Sequence, residues 1–149
     1  MSNPSKPQCF QELLLTLQDY WAGEPHAYLG ITVPGFRNFF MCYGPGTNGG
    51  ELVIMLESQA EYAVRAVKRM IRERVTAVDV RPAFEARWNR WLQSRMNGTS
   101  WTMSNNYFTA PSGKVVTQWP YGNTQYRLLT KALGRVSETT RRRNMGDES

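Results

Sequence analysis

Apolar residues recur at helical spacing in four stretches of the chain. Phe10, Leu13, Leu14, Leu17 and Trp21 mark a short helix, and Leu52, Leu56, Ala60, Ala63, Val67 and Met70 mark a long one over residues 51–74. Phe84, Trp88, Trp91 and Leu92 mark a third, which Pro82 opens and Asn97-Gly98 closes, and residues 124–133 read as a last short helix. The first turn of the long helix, Leu52-Val53-Ile54-Met55-Leu56, is apolar all round and is expected to be buried, so that this helix starts inside the protein and ends at its surface. Residues 38–43 (NFFMCY) form a near-continuous apolar run between turn residues, the pattern of a strand buried on both faces within an α/β sheet. Residues 76–80 (TAVDV) and 114–119 (KVVTQW) read as two further short strands. Between them, residues 22–34 read as loop with a brief extended piece over 28–33, residues 99–111 as loop, and residues 121–123 as turn. The pattern predicts an α/β fold with mainly helices around a small sheet. Residues 1–8 read as a frayed leader and the stretch after Leu133 as a disordered tail.

Composition adds bounds. At 149 residues, 41% hydrophobic and 20% charged, the chain has the make-up of a globular domain and is too short for separate cofactor and substrate domains. No apolar run reaches the roughly 18 residues a membrane helix needs, and the first residues lack a basic segment followed by an apolar one. The expectation is a cytoplasmic protein with no membrane partner. The net charge of +6 suggests an anionic partner, but its placement matters. Nine of the 18 Lys and Arg residues fall between Arg65 and Arg95, against Glu73, Asp79 and Glu85. Lys68, Arg69, Arg72 and Arg74 crowd the end of the long helix while Glu51 and Glu57 lie near its start, which suits the helix dipole. The excess reads as a solvated helix end. The alternative is a small basic α/β module that binds nucleic acid or another partner through residues 65–95 and Arg141-Arg142-Arg143. Its aromatic residues form no RNA-binding or helix-turn-helix pattern, which argues against nucleic acid. Cys9 and Cys42 are far apart and His26 is the sole histidine, too few ligands for a Cys/His zinc site. Both cysteines read as reduced and structural, and the residues supply no metal site and no catalytic residue.

Gly44-Pro45-Gly46-Thr47-Asn48-Gly49 satisfies G-x-G-x-x-G between the apolar run and the long helix. Glycines there let the backbone turn tightly, and unpaired amides at the helix start face outward with the positive end of its dipole. Pro45 stiffens the turn, however, and Asp79 lies about 30 residues beyond the loop where a dinucleotide fingerprint has its acid at about 20. A ligand-binding loop and a plain structural turn both remain open on these residues alone.

Residues 24–48 (EPHAYLGITVPGFRNFFMCYGPGTN) resemble the phrase "AYLGITVPGFPNLFMLYGPGTN" that closes the FAD domain of Baeyer–Villiger-type flavoprotein monooxygenases, especially the 4-hydroxyacetophenone monooxygenase branch. Residues 55–60 (MLESQA), Ser100-Trp101 and residues 113–120 (GKVVTQWP) resemble further family words in the same order, so that the likeness runs from about Leu17 to Lys131. Arg37 departs from it, standing where the family usually has Pro. The resemblance implies a partial FAD/NAD(P)-binding, Rossmann-like domain over residues 19–133, preceded by a divergent leader and short helix at 1–18 and followed by a disordered basic tail at 134–149. It implies that the amides of Gly46, Thr47, Asn48 and Gly49 lie near the pyrimidine edge of FAD, that Ser100 and Trp101, with Asn105 nearby, contact NADPH, and that Trp119-Pro120 forms a structural corner. The family reaction is oxygen insertion into a ketone. Its two dinucleotide-binding fingerprints, its FxGxxxHTxxW signature and its flavin-side arginine are absent here, and no FxG or HT word surrounds His26. The expectation is therefore the C-terminal portion of such an enzyme, inactive as the isolated chain. It is either a truncated gene product or a subunit completed by a separately encoded N-terminal half.

Overall fold

The structure is a computed structural model, and it describes residues 16–100, 109–135 and 138–142. Thr16 opens a five-residue helix, α1 (Leu17–Trp21), through a capping box with Asp19: its side chain accepts the Asp19 amide and its own amide donates to the Asp19 carboxylate. Phe10, Leu13 and Leu14 lie outside the described residues. The long periodic stretch forms α2 (Leu52–Glu73), whose inner face carries Met55, Ser58, Gln59, Tyr62 and Ala66 at i, i+3, i+4 and i+7 intervals. Arg74 ends it in the left-handed region at φ 52°, its amide donating to the carbonyls of Met70 and Ile71. The chain passes directly into β1 (Val75–Val80) and then α3 (Pro82–Met96), which buries Glu85, Trp88, Leu92 and Met96. Helix α4 (Asn123–Leu133) packs on α2 and buries Tyr126 and Thr130.

The core joins these helices to irregular chain. Tyr28, Leu29 and Ile31 from the first loop meet Met55, Tyr62, Trp88, Leu92, Val115, Trp119 and Tyr126 in one cluster. The expected extended piece over 28–33 reduces to a single antiparallel bridge, Tyr28 with Thr32, around a turn whose Leu29 and Gly30 are both left-handed. The stretch 114–119 likewise reduces to two bridges, Val115 with Thr109 and Gln118 with Asn48.

Three expectations are corrected. Residues 38–43 are not a strand: Asn38 and Tyr43 at their ends have φ of 59° and 60°, and among the described residues β1 bonds to this run only at Asn38, whose amide donates to Val78 O at 3.0 Å. Phe39 and Tyr43 are 40% and 46% exposed where burial on both faces was expected. Strand-forming residues make a ladder only where a neighbour supplies partners along their length, and β1 supplies them to Asn38 alone. The apolar first turn of α2 is also not enclosed: Met55 is buried, but Leu52 and Val53 are 48% and 66% exposed, so this helix begins at the surface. Finally, part of the expected disordered tail is ordered. Residues Glu138–Arg142 form β2, antiparallel to β1, with Val80 opposite Glu138 and Val75 opposite Arg142 across an irregularity between Val75 and Ala77. Glu138 is drawn in by the Tyr62 hydroxyl at 2.8 Å and by a buried ion pair with Arg69. No helix among the described residues is long and apolar enough to cross a membrane.

Candidate functional site

The glycine loop is held from below by residues 116–119. Gly46 donates its amide to Val116 O at 2.9 Å, Asn48 donates to Thr117 O at 2.8 Å, and Trp119 donates back to Asn48 O at 3.0 Å. Thr47 is fully buried and its hydroxyl donates to Gly44 O at 2.6 Å. The glycines are required by this packing. A Cβ on Gly49 would lie 2.5 Å from Trp119 O, one on Gly46 2.6 Å from Leu92 Cδ2, and one on Gly44 2.2 Å from Gly30 O. Two amides expected to face a ligand, those of Gly46 and Asn48, are thus already engaged inside the chain.

The donors left over sit slightly further along. Glu51 is the N-cap of α2 and makes no side-chain capping bond. The amides of Gly49, Gly50, Leu52, Val53 and Ile54 have no acceptor among the described residues. Asn123 braces this corner from α4, its Nδ2 donating to Glu51 O at 3.4 Å in the space that a side chain on Gly50 would fill. On the other flank Tyr43 donates its hydroxyl to Asn48 Oδ1 at 2.6 Å and its amide to Gln59 Oε1 at 2.7 Å. A 22-residue helix therefore presents an uncapped positive dipole end beside a rigid loop, an arrangement that stabilises an electron-rich group. Of the residues expected at the second cofactor, Ser100 is exposed after the end of α3, and Trp101 and Asn105 lie outside the described residues.

A second polar group was not foreseen. Glu85, 4% exposed in the first turn of α3, lies with Oε1 2.7 Å from His26 Nδ1 and accepts the Tyr20 hydroxyl on Oε2 at 3.1 Å. Burial, and after it the charge of Glu85, pushes the Tyr20 hydroxyl up to about 12. The group borders a cavity of about 580 Å³ that His26 and Glu85 share with Pro45, Gly46, Arg90 and Lys114. Its readable signal was the spacing of Glu85, Trp88, Leu92 and Met96, which sets an acid on the apolar stripe of α3. The basic residues between Arg65 and Arg95 are largely engaged: Arg65 with Glu61, Arg69 with Glu138, Arg72 with Glu73, Arg81 over the Phe84 ring and Arg95 over Trp91.

No family model matches the chain. A Baeyer–Villiger monooxygenase of Pseudomonas aeruginosa is 34% identical over 120 residues, which are 77% of this chain and 23% of that protein. The chain corresponds to a fragment of a flavin-containing Baeyer–Villiger-type monooxygenase. An FAD-binding monooxygenase of Emericella nidulans is 30% identical over 117 residues, 76% of this chain and 20% of that one. Oxidised steroid monooxygenase bound to NADP superposes with a TM-score of 0.76 over 86% of this chain and 25% of its own, at 21% identity. The fold is thus a part of the Baeyer–Villiger monooxygenase fold, and the chain spans between 20% and 25% of the length of these relatives. The loop and the start of α2 lie in the region whose words carried the resemblance.

Proposed function

We propose that this chain is the flavin-facing, C-terminal segment of an FAD- and NADPH-dependent monooxygenase that inserts oxygen into a ketone, and that it has no such activity alone. The observation that carries this reading is the 34% identity with a Baeyer–Villiger monooxygenase across 77% of the chain. The free donors fit one edge of FAD: the amides of Gly49, Gly50 and the first turn of α2 would hold its electron-rich pyrimidine carbonyls, with Gly46, Thr47 and Asn48 fixing the loop from beneath. FAD, when bound, supplies the redox chemistry with oxygen. The work of this chain is to orient that edge and to favour negative charge on it through preorganised amides that need no rearrangement. Ser100 and Trp101 are the proposed contacts to NADPH. The remaining parts, two dinucleotide fingerprints and a flavin-side arginine, would come from a separately encoded N-terminal half in the cytoplasm, and the words over residues 24–48 favour the 4-hydroxyacetophenone branch.

A visible spectrum of the purified chain, followed by an NADPH-oxidation assay, tests the claim. Colourless protein that leaves NADPH intact is expected. Stoichiometric bound flavin with NADPH turnover by the chain alone would overturn it.

A further inference from the structure

The basic residues at the far end of α2 stand in a row, and α4 sets a second row against it. Arg65, Lys68, Arg69 and Arg72 follow one another at i, i+3, i+4 and i+7 on α2, while Arg127, Lys131 and Arg135 follow at i, i+4 and i+8 on α4 and just past its end. All of them except Arg127 line one cavity of about 370 Å³, together with the buried Tyr62 and Thr130. Two are fixed in place: Arg65 donates to Thr130 O at 3.3 Å across the two helices, and Arg69 is paired with the buried Glu138. The acids are too few for the rest. Glu61 alone serves Arg127 at 2.5 Å, Arg65 at 3.4 Å and Lys131 at 4.0 Å, Glu73 meets Arg72 in an exposed pair, and Lys68 and Arg135 have no acidic partner among the described residues. Seven cations thus meet three carboxylates, an excess of four. Both helices end here, but their two C-termini together offer only about one negative charge, and Arg65, Lys68 and Arg69 lie before the last turn of α2. Like charges at i,i+4, as in Arg65 with Arg69, Lys68 with Arg72 and Lys131 with Arg135, oppose the fold instead of supporting it.

We propose that the groove between the ends of α2 and α4 is a binding site for an oligophosphate, a chain of two or three linked phosphoryl groups carried by a nucleotide or free in solution. Arginine forks and lysine ammonium groups are the donors that phosphate oxygens take. The charge decides between anions. A carboxylate or a single phosphate would leave most of the excess of four uncompensated, whereas a triphosphate chain matches it and reaches cations on both rows. The cavity suits a compact ligand and not a polymer: its cations close on one volume of about 370 Å³, at the lower end of the range for small-molecule sites. The site is also separate from the proposed flavin edge. Arg65 and Arg72 lie about 20 and 30 Å along α2 from Glu51 at the usual helical rise, so the proposal stands whether or not the flavin reading does.

The test is calorimetric titration of the full chain at about 150 mM salt, where loose surface charge is screened, with tripolyphosphate, orthophosphate, ATP and a single-stranded thymidine oligonucleotide as probes. Tripolyphosphate is expected to bind one site at least about tenfold more tightly than orthophosphate and to raise the thermal midpoint. Lys68→Ala with Arg135→Ala removes two exposed cations that hold no acidic partner among the described residues. That double variant should keep the thermal midpoint of the free chain and weaken tripolyphosphate about tenfold or more. Arg87→Ala with Arg90→Ala, on α3 and outside the groove, makes the same change in net charge and should leave binding within about twofold. ATP equal to tripolyphosphate would assign recognition to the phosphate chain alone, and ATP bound more tightly would assign a nucleotide; both sustain the proposal. No saturable binding of tripolyphosphate below about 1 mM, or equal losses in the two double variants, would overturn it. An oligonucleotide bound more tightly than tripolyphosphate would also overturn it, by making nucleic acid the occupant.

Discussion

Trp119 and the outer side of α2 are both apolar, and they behave in opposite ways. The Trp119 ring is stacked on Trp88 at 6.0 Å and 11°, meets Tyr126 at 5.4 Å and Tyr121 at 5.5 Å, and donates its ring N–H to Gly122 O. Tyr126 continues the contact inward, donating to Leu29 O at 2.7 Å and accepting from Gln59 at 3.0 Å. Around these rings four chain segments distant in sequence close on one another without help. Val53, Val64, Val67 and Ile71 also fall along one side of α2, yet they are 45% to 73% exposed. A helix that is apolar on two sides has two surfaces to cover, and this chain covers one. Helical spacing therefore found the helix but not its buried side: the marked residues Leu52, Leu56, Ala60, Ala63, Val67 and Met70 are exposed or half-buried, whereas Met55, Ser58, Gln59, Tyr62 and Ala66 are enclosed, and the outer side is a surface that α4 and β1 do not reach.

The widest gap between the two regions should appear on truncation. Trp119→Ala removes a ring held on several sides and is expected to cost about 3–5 kcal/mol, enough to unfold much of the chain, as read by urea denaturation followed by fluorescence. Gly49→Ala comes next, because its Cβ would press on the backbone of Trp119 at 2.5 Å and neither side is a flexible chain end. A loss of about 1–3 kcal/mol is expected. A Gly49→Ala protein as stable as the parent would show that this glycine serves ligand approach and not packing.

A smaller effect lies at the Tyr20–Glu85–His26 group. Tyr20→Phe removes a hydrogen bond to a buried carboxylate and should cost about 1–2 kcal/mol at neutral pH. The pH profile carries the sharper signature. The Tyr20 hydroxyl is pushed from 10.0 up to about 12 in the folded chain, and burial raises Tyr126 as well. Folding thus favours the protonated phenols, so this stabilisation is complete below pH 10.0 and is lost as pH rises from there toward 12. The urea midpoint should fall across that window, less steeply in Tyr20→Phe. A slope identical in the two proteins would remove Tyr20 from the account.

How much of this was readable follows from what each feature depends on. Helices α2 and α3 and strand β1 could be read because their signals are local: period, a proline at the first turn, alternation. Residues 38–43 could not, because an apolar run declares itself a strand only through a neighbour, and β2 could not, because Glu-Thr-Thr-Arg-Arg carries no apolar face and is ordered by Val75–Val80 from 60 residues away. The glycine loop was legible as a tight turn before a helix. What its glycines approach was not, since Trp119, Leu92 and Gly30 come from three other places in the chain. Glu85 stood visibly on an apolar stripe, but its partner His26 lies 59 residues earlier.

The smallest expected effect is the most discriminating for the comparison. Val67→Lys and Ile71→Lys, alone or together, replace side chains that are 45% and 73% exposed. If the outer side of α2 holds nothing within this chain, each should change stability by no more than about 0.5 kcal/mol. Val67→Lys stands on the same helix as Tyr62→Ala, which would break a buried contact to Glu138 at 2.8 Å and should cost several times more. The lysines should also raise solubility, because an uncovered apolar stripe promotes self-association. A loss of 2 kcal/mol or more from Val67→Lys in monomeric protein, an upper bound well above the surface range of about 0.5, would mean that this side of α2 is already covered by the chain's own residues, and the distinction between its two faces would fall.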